Sequence, residues 1–454
     1  MTAQPTSPLT QTEIASVRLP YRAASLLPGR AYHDPAIHDF ERQEWFRRDW
    51  IVVGREEDAA EPGTYFLATV DDEPLLIARG RDGTLRAFFN VCRHRGTAVV
   101  EDQCGRAVRF QCPYHAWIYD LDGKLVRAKH TDDLEEFRFE DFGLVSVRME
   151  TWQGFVFVNL SPDAPPLVSW LGDLPPHLAR FDFSRLRVAH TVTYDVDANW
   201  KFIAENYSEC YHCPGIHPQL NKLTPYDLGG DFAPEGPWQG GWMELVDNAE
   251  TMAIDGGHRG GRPAMFGITP LDERRIYYYL VWPLTFLSIH PDYLLVHRLE
   301  PASSGHTRVV CQWLFEPEAI AAPGFDPSDA IAFWDLTNRQ DWHVCELQQR
   351  GTRSQSWVAG RYSNQEPSVH AFDLMAVDRY ANDGINSART VRLRYDVPPP
   401  AEGEFAEGGI PAVRLPRAGD GPTNGTNGHG GEARSPRTAP RAAARNHAST
   451  TGGG

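Results

Sequence analysis

Cysteine and histidine recur in two short pairs, Cys92-x-His94 and, after 17 intervening residues, Cys112-x-x-His115. Thiolate suits ferric iron. Replacing two thiolates by imidazoles on one iron of a [2Fe-2S] cluster removes negative charge and raises the reduction potential above that of an all-cysteine cluster. Such a cluster passes single electrons. Zinc is the competing use of two Cys and two His, but zinc pairs typically read Cys-x(2–4)-Cys with His-x(3–5)-His. Here each pair mixes one Cys with one His. Cys104 stands between the pairs with no His at ligand spacing and is read as a bystander.

A second group of metal-ligand types lies downstream. The spacing predicts a helix over Asp197 to His212, with Glu205, Glu209 and His212 on one face. Pro214-Gly215 then breaks it, so that His217 can turn back toward His212. Two imidazoles and one carboxylate on one face of an iron leave positions open for O2 and substrate. The carboxylate has to come from elsewhere. A long helix from Ser328 to about Gln349 offers Asp341, with Glu346 and His343 as alternatives, and Asp341 on a merely solvated helix face as the bland reading.

The elements that must hold these residues follow from pattern. Asp34-Pro35 is an N-cap and first-turn pair for a short helix running toward Trp45 and Phe46. Thr64 to Val70, Pro74 to Arg79 and Leu85 to Asn90 read as strands, with Asp82-Gly83 as the hairpin turn between the last two. Trp117 to Tyr119, the Asp122-Gly123 turn and Gly154 to Leu160 continue this β unit, and both Cys/His pairs fall on its loops. Pro-rich text at Ser161 to Pro176 marks a change of domain. Arg275 to Trp282, Leu284 to His290, Tyr293 to Leu299 and Thr307 to Phe315 predict a second antiparallel sheet. Asp326-Pro327 opens the long helix, with Phe333, Trp334 and Leu336 as its buried residues. The class is α+β. The expected organisation is an arm and helix over 1–44, an antiparallel β domain over 45–160, a second α+β domain over 161–396 and a disordered tail over 397–454, whose Pro, Gly, Ala, Arg and Ser text offers little to bury.

Composition sets limits. Across 454 residues, 44 basic and 60 acidic side chains give a net charge of −16, which opposes attachment to nucleic acid or an anionic membrane. No leader pattern and no apolar run of the ~20 residues needed to span a bilayer is visible, so a cytoplasmic protein is expected. Seven cysteines, an odd number, argue against a disulfide framework and for reduced thiols.

The strings Cys92-Arg93-His94-Arg95-Gly96 and Cys112-Pro113-Tyr114-His115-Ala116-Trp117 closely resemble the Rieske domain of ring-hydroxylating oxygenases. Asn199-Trp200-Lys201 with Glu205-Asn206-Tyr207, Glu209, His212 and His217 is similar to the iron-site signature of the same family. The resemblance spans roughly Tyr32 to Tyr395. It implies a Rieske β domain with a helix-grip catalytic domain, a [2Fe-2S] cluster on Cys92, His94, Cys112 and His115, and one mononuclear Fe(II) on His212, His217 and Asp341. It also implies O2 as co-substrate and a head-to-tail homotrimer. Electrons would come from NAD(P)H through a separate flavin/iron-sulfur reductase, since no dinucleotide or flavin fingerprint occurs in this chain. Glu209 occupies the family's bridging place between the cluster of one subunit and the iron of the next, carrying His115 on one side and His212 on the other, with Asn206 and Glu205 beside it. Glutamate at that place, where many ring dioxygenases have aspartate, resembles the carnitine and glycine betaine monooxygenase branch, which implies oxidative N-demethylation of a quaternary ammonium compound. Tyr207 is the named candidate for an aromatic cage, with Tyr277-Tyr278-Tyr279 and Trp282 as further rings. The alternatives are hydroxylation of an aromatic ring or specialised metabolite on the same scaffold, and a Rieske electron carrier without oxygenase activity.

Overall fold

In the computed structural model the described residues are 6–387, Thr390 and Val413–Arg414. The first antiparallel sheet is built from β1 (Ile51–Arg55), β2 (Thr64–Val70), β3 (Glu73–Arg79), β4 (Leu85–Phe89), β5 (Cys104–Arg106), β9 (Ser146–Trp152) and β10 (Phe155–Asn159), in the order β1-β10-β9-β4-β3-β2-β5. Strands β6 (Phe110–Gln111), β7 (Ile118–Tyr119) and β8 (Leu125–Arg127) form a small sheet of their own. The expected hairpin between β3 and β4 is present: Gly83 takes a positive φ of +80°, and the Asp82 carboxylate accepts the Thr84 N–H at 3.0 Å. Only a residue without a Cβ adopts that φ at no steric cost.

The second sheet runs β11 (Arg187–Val196), β17 (His306–Phe315), β16 (Leu294–Ser303), β15 (Thr285–Ile289), β14 (Arg275–Val281), β13 (Trp238–Glu244), β12 (Gly229–Asp231), β18 (Val413–Arg414). Val413–Arg414 lies within the stretch expected to be a disordered tail, yet it pairs with Gly230 and Asp231 as an edge strand; the rest of that expectation falls outside the described residues. Backbone pairing to an open edge orders a short segment that has little apolar surface of its own.

The longer helices among the described residues are α1 (Gln11–Val17), α2 (Pro35–Glu41), α3 (Trp200–Tyr207), α4 (Ser328–Gly351) and α5 (Pro367–Tyr380). Asp34 caps α2 by accepting the Ala36 N–H at 2.9 Å, as its sequence position predicts. The N-terminal segment is tied to α3: the Tyr32 and Phe202 rings stack at 4.0 Å, and Glu41 accepts from Lys201 Nζ at 2.5 Å and Trp200 Nε1 at 2.9 Å. One apolar core joins Ile14, Trp45, Val156, Trp200, Trp282 and Phe372. Phe333 and Trp334 are buried on α4 as expected, but Leu336 is 41% exposed. It lies two residues beyond Trp334, about 200° round the helix, so the packed stripe passes it by. Among the described residues no helix is long and apolar enough to cross a membrane.

Candidate functional site

The two Cys/His pairs sit on loops folded by the same local rule. Cys92 N–H donates to Thr97 O and Gly96 N–H to Cys92 O; Cys112 N–H donates to Trp117 O and Ala116 N–H to Cys112 O. The fifth residue of each turn is left-handed, Gly96 at +79° and Ala116 at +56°. Both thiols are buried. His94 and His115 are exposed at the domain surface, their rings 4.6 Å apart, and His94 stacks on Trp117 at 4.8 Å. Two buried sulfurs behind two exposed imidazoles would suit a binuclear iron–sulfur cluster held by two thiolates and two imidazoles. Among the described residues the four do not bring three ligand atoms within 4.8 Å of one another, as a single tetrahedral zinc would require. Cys104 is exposed on β5, away from this set, in keeping with its reading as a bystander. Tyr119 was read only as a strand residue, yet its hydroxyl accepts the Arg93 N–H at 3.0 Å and lies 3.3 Å from Cys92 Sγ. A cluster-bound Cys92 would be a thiolate with no hydrogen to give, so the Tyr119 hydroxyl would then be the donor to the sulfur.

Downstream, His212, His217 and Asp341 bring their ligand atoms within 4.8 Å of one another. The route differs from the expected one. Helix α3 ends at Tyr207, because the Ser208 hydroxyl donates back to the Ala204 carbonyl at 2.6 Å and competes with the next backbone turn. Glu209 and His212 therefore do not share a helix face with Glu205. Instead Glu209 holds His212 directly: one carboxylate oxygen meets Nδ1 at 2.6 Å and the other accepts the His212 N–H at 3.2 Å. The short helical turns Cys213–Ile216 and Pro218–Leu223 then carry His217 round. Its Nδ1–H donates to Gln340 Oε1 at 2.8 Å, and that amide oxygen also accepts from Gln219 Nε2 at 2.8 Å. Gln340 and Gln219 were not legible in the sequence. Both histidines thus have Nδ1 engaged and Nε2 directed at Asp341 Oδ1, 3.2 Å from His212 and 2.7 Å from His217.

Electrostatics describe the same three-way attraction. Burial would lower the His212 pKa, but Asp341 and Glu209 outweigh it and hold the ring up to about 10. Burial likewise would raise Asp341, but the two imidazoles hold it down to about 2. A cation between them takes over the attraction that a proton otherwise supplies, so metal and proton compete for the set. Glu346 and His343 take no part in this cluster. The Glu346 carboxylate instead accepts the Asp197 N–H at 3.4 Å.

The Rieske [2Fe-2S] domain family matches residues 49–138, and the catalytic domain of the ring-hydroxylating alpha subunit matches residues 183–382. The glycine betaine monooxygenase oxygenase subunit of Chromohalobacter salexigens is 31% identical over 368 residues, covering 74% of this chain and 81% of that protein. The chain belongs to the Rieske ring-hydroxylating oxygenases. The carnitine monooxygenase oxygenase subunit of Escherichia coli K12 is 28% identical, covering 73% of this chain and 85% of that one. A crystallised quaternary ammonium Rieske monooxygenase in complex with L-carnitine is 25% identical at a TM-score of 0.69, covering 82% of this chain and 99% of that one.

This Rieske oxygenase therefore works with a [2Fe-2S] cluster, a mononuclear iron, O2, a reductase and a small-molecule substrate. One expectation fails beside its iron site. Cys210 and Cys213 are joined in a disulfide, while Cys92, Cys104, Cys112, Cys311 and Cys345 are free. The two Cα atoms lie 4.9 Å apart, within bridging range.

A pocket opens over the three ligands. Its walls include Tyr207, Tyr226, Tyr278, Trp334 and Trp342, and Asn206 and Glu209 line it as well. The Tyr207 ring stacks on Phe286 at 4.4 Å, and its hydroxyl is engaged by Leu287 O and Ser288 Oγ at 3.1 and 2.9 Å. Tyr277 and Tyr279 pack instead in the core on the opposite face of the sheet, because neighbours in a strand alternate sides. Trp282 is buried among Trp45, Trp200 and Phe372.

Proposed function

We propose that this chain is the terminal oxygenase component of an N-demethylating monooxygenase acting on a quaternary ammonium compound such as glycine betaine. The carrying observation is the aromatic wall of Tyr207, Tyr226, Tyr278, Trp334 and Trp342 standing over the His212–His217–Asp341 cluster. A quaternary cation has no hydrogen to donate and is held by π faces. The glycine betaine and carnitine monooxygenase relatives support the same substrate class.

In this reading Cys92, His94, Cys112 and His115 hold the cluster, and His212, His217 and Asp341 hold the iron. When bound, the iron supplies O2 activation with electrons from the cluster. Glu209 fixes the His212 ring, keeps Nε2 toward the metal and bridges to His115 of a second copy in a homotrimer. Gln340 does the corresponding work for His217. Asn206 stands beside Glu209 at the pocket wall. Tyr207, its hydroxyl engaged, offers only its ring to the cation. The donor would be a flavin/iron-sulfur reductase drawing on NAD(P)H in the cytoplasm. Hydroxylation of an N-methyl carbon consumes O2, two electrons and two protons and releases water. The resulting hemiaminal loses formaldehyde and leaves the demethylated amine.

The test is to supply the holoenzyme with a reductase and glycine betaine, and to measure formaldehyde and dimethylglycine against O2 consumed. Near-equimolar products are expected. A cis-diol from an aromatic substrate with no formaldehyde from any methylated amine would overturn the reading in favour of ring hydroxylation, and O2-independent electron transfer alone would favour a carrier.

A further inference from the structure

The floor of the pocket carries polar atoms that the protein leaves unmatched. Across four strands one register row reads Gln239, Leu280, Phe286, His297, so all four side chains point to the same face of the sheet. Gln239 and His297 are each 2% exposed, and both line the pocket. Gln239 Oε1 and His297 Nδ1 are buried with no hydrogen-bond partner, a costly state that calls for one.

Their orientations are fixed from behind. The Tyr194 hydroxyl donates to Asp335 at 2.8 Å, so its oxygen is an acceptor, and Asn338 Nδ2 turns toward it and toward Cys311 Sγ, both at 3.5 Å. Asn338 Oδ1 then faces His297 Nε2 at 3.2 Å, which places the single proton of the neutral ring on Nε2 and leaves Nδ1 as a bare lone pair. Burial holds the His297 pKa down to about 4, so the ring stays neutral near pH 7. On the other side the Ser208 hydroxyl donates to Ala204 O, and its oxygen accepts Gln239 Nε2 at 2.8 Å. Gln239 Oε1 is thereby the free end. Two separate chains of hydrogen bonds each present an acceptor, with apolar Leu280 and Phe286 between them.

We infer that the preferred substrate bears a hydroxyl as well as its methylated nitrogen, so that glycine betaine, which has none, is accepted as a weaker binder of the same class, and that His297 Nδ1 is the acceptor that reads that hydroxyl. The inference rests on the quaternary ammonium reading, since such a nitrogen carries no hydrogen and the donor has to come from another part of the molecule. An N-methyl cation without a hydroxyl would leave the His297 lone pair unmatched.

Equilibrium binding to the holoenzyme, measured by calorimetry without turnover, tests this with matched pairs: choline against propyltrimethylammonium, and L-carnitine against gamma-butyrobetaine. The wild type is expected to favour the hydroxylated member of each pair by about tenfold, the worth of one hydrogen bond to a buried acceptor. H297F is expected to bring both ratios to about one while holding the deoxy members within about threefold of wild type. Q239L, which leaves the His297 chain intact, reports whether the fold of the floor survives substitution, as does an unchanged visible spectrum of the cluster. Equal binding within both pairs by the wild type, or a preference that persists in H297F, overturns the inference while leaving the quaternary ammonium reading in place. Failure of every cation to bind overturns that reading itself, and the inference with it.

Discussion

At the residue scale the two metal sites depend on side chains that never touch a metal. Glu209 and Gln340 each fix one imidazole, and losing such a partner typically costs 10- to 100-fold in metal affinity or activity. His212→Ala is expected to lower iron from about three to about two per chain, with about two acid-labile sulfides and the visible spectrum unchanged; metal and sulfide analysis checks it. Loss of sulfide in that variant would mean the two sites are not independent. Tyr119→Phe removes the hydroxyl that faces Cys92 Sγ. A hydrogen bond to sulfur favours the reduced cluster, so its potential is expected to fall by roughly 40 mV, the one-electron equivalent of about 1 kcal/mol. Spectroelectrochemistry reads this directly, and an unchanged or higher potential would show the hydroxyl does not act on the cluster.

At the element scale α3 and α5 share a buried polar contact. Glu205 on α3 and Asp373 on α5 are buried like charges that act on each other, with Tyr32 donating to Glu205 and Tyr362 to Asp373. Lys201, Glu41 and Tyr380 complete the surroundings. Burial raises Asp373 to about 7 and Glu205 well above its usual range, so the folded pair holds protons that both groups would lose in the unfolded chain. A carboxyl whose pKa is raised by folding binds its proton more tightly in the folded state. Its contribution is complete below the unfolded value near 4 and is lost as pH rises toward 7. The melting temperature of the wild type is expected to decline over that window on this account, and Asp373→Asn, which can still bond both neighbours, is expected to flatten the decline. Parallel curves for the two proteins would refute the raised Asp373 pKa as the cause.

The N-cap at Asp34, the hairpin at Asp82-Gly83 and the strands from Thr64 onward depend on neighbours in the chain, and local text specifies them. The end of α3 was misjudged, since a run from Asn199 to His212 has no internal Pro or Gly to stop a helix. Ser208 stops it by bonding back to Ala204, and Gln239, a strand distant in sequence, secures that hydroxyl from the other side. Leu336 was assigned to the core from its apolar character alone, and only the direction in which α4 packs decides against it.

At the scale of the whole molecule, His94 and His115 are exposed, as the proposed electron transfer between copies would require. If the trimer reading holds, co-expression of Cys112→Ser chains, which lack a complete cluster set, with His212→Ala chains, which lack an iron ligand, is expected to restore activity to a substantial fraction of wild type. Each variant alone is expected to be inactive. Formaldehyde release from the purified mixed assembly is the measurement, and complete inactivity of mixed assemblies would place both metals' partnership inside a single chain.

The α+β class and the family are legible in the sequence, as are the proposed four cluster ligands and two iron-site histidines, because ligand chemistry demands particular residue types and short loops keep them at fixed spacing. The choice of Asp341 over Glu346 and His343, the hold of Gln340 on His217, the hydroxyl of Tyr119 at Cys92, the Cys210–Cys213 bridge and the unmatched acceptors on the pocket floor belong to the tertiary structure. Each of these joins residues through space, by strand register, helix rotation or the closing of a turn, and the energy of such a contact depends on a geometry that no stretch of chain encodes alone.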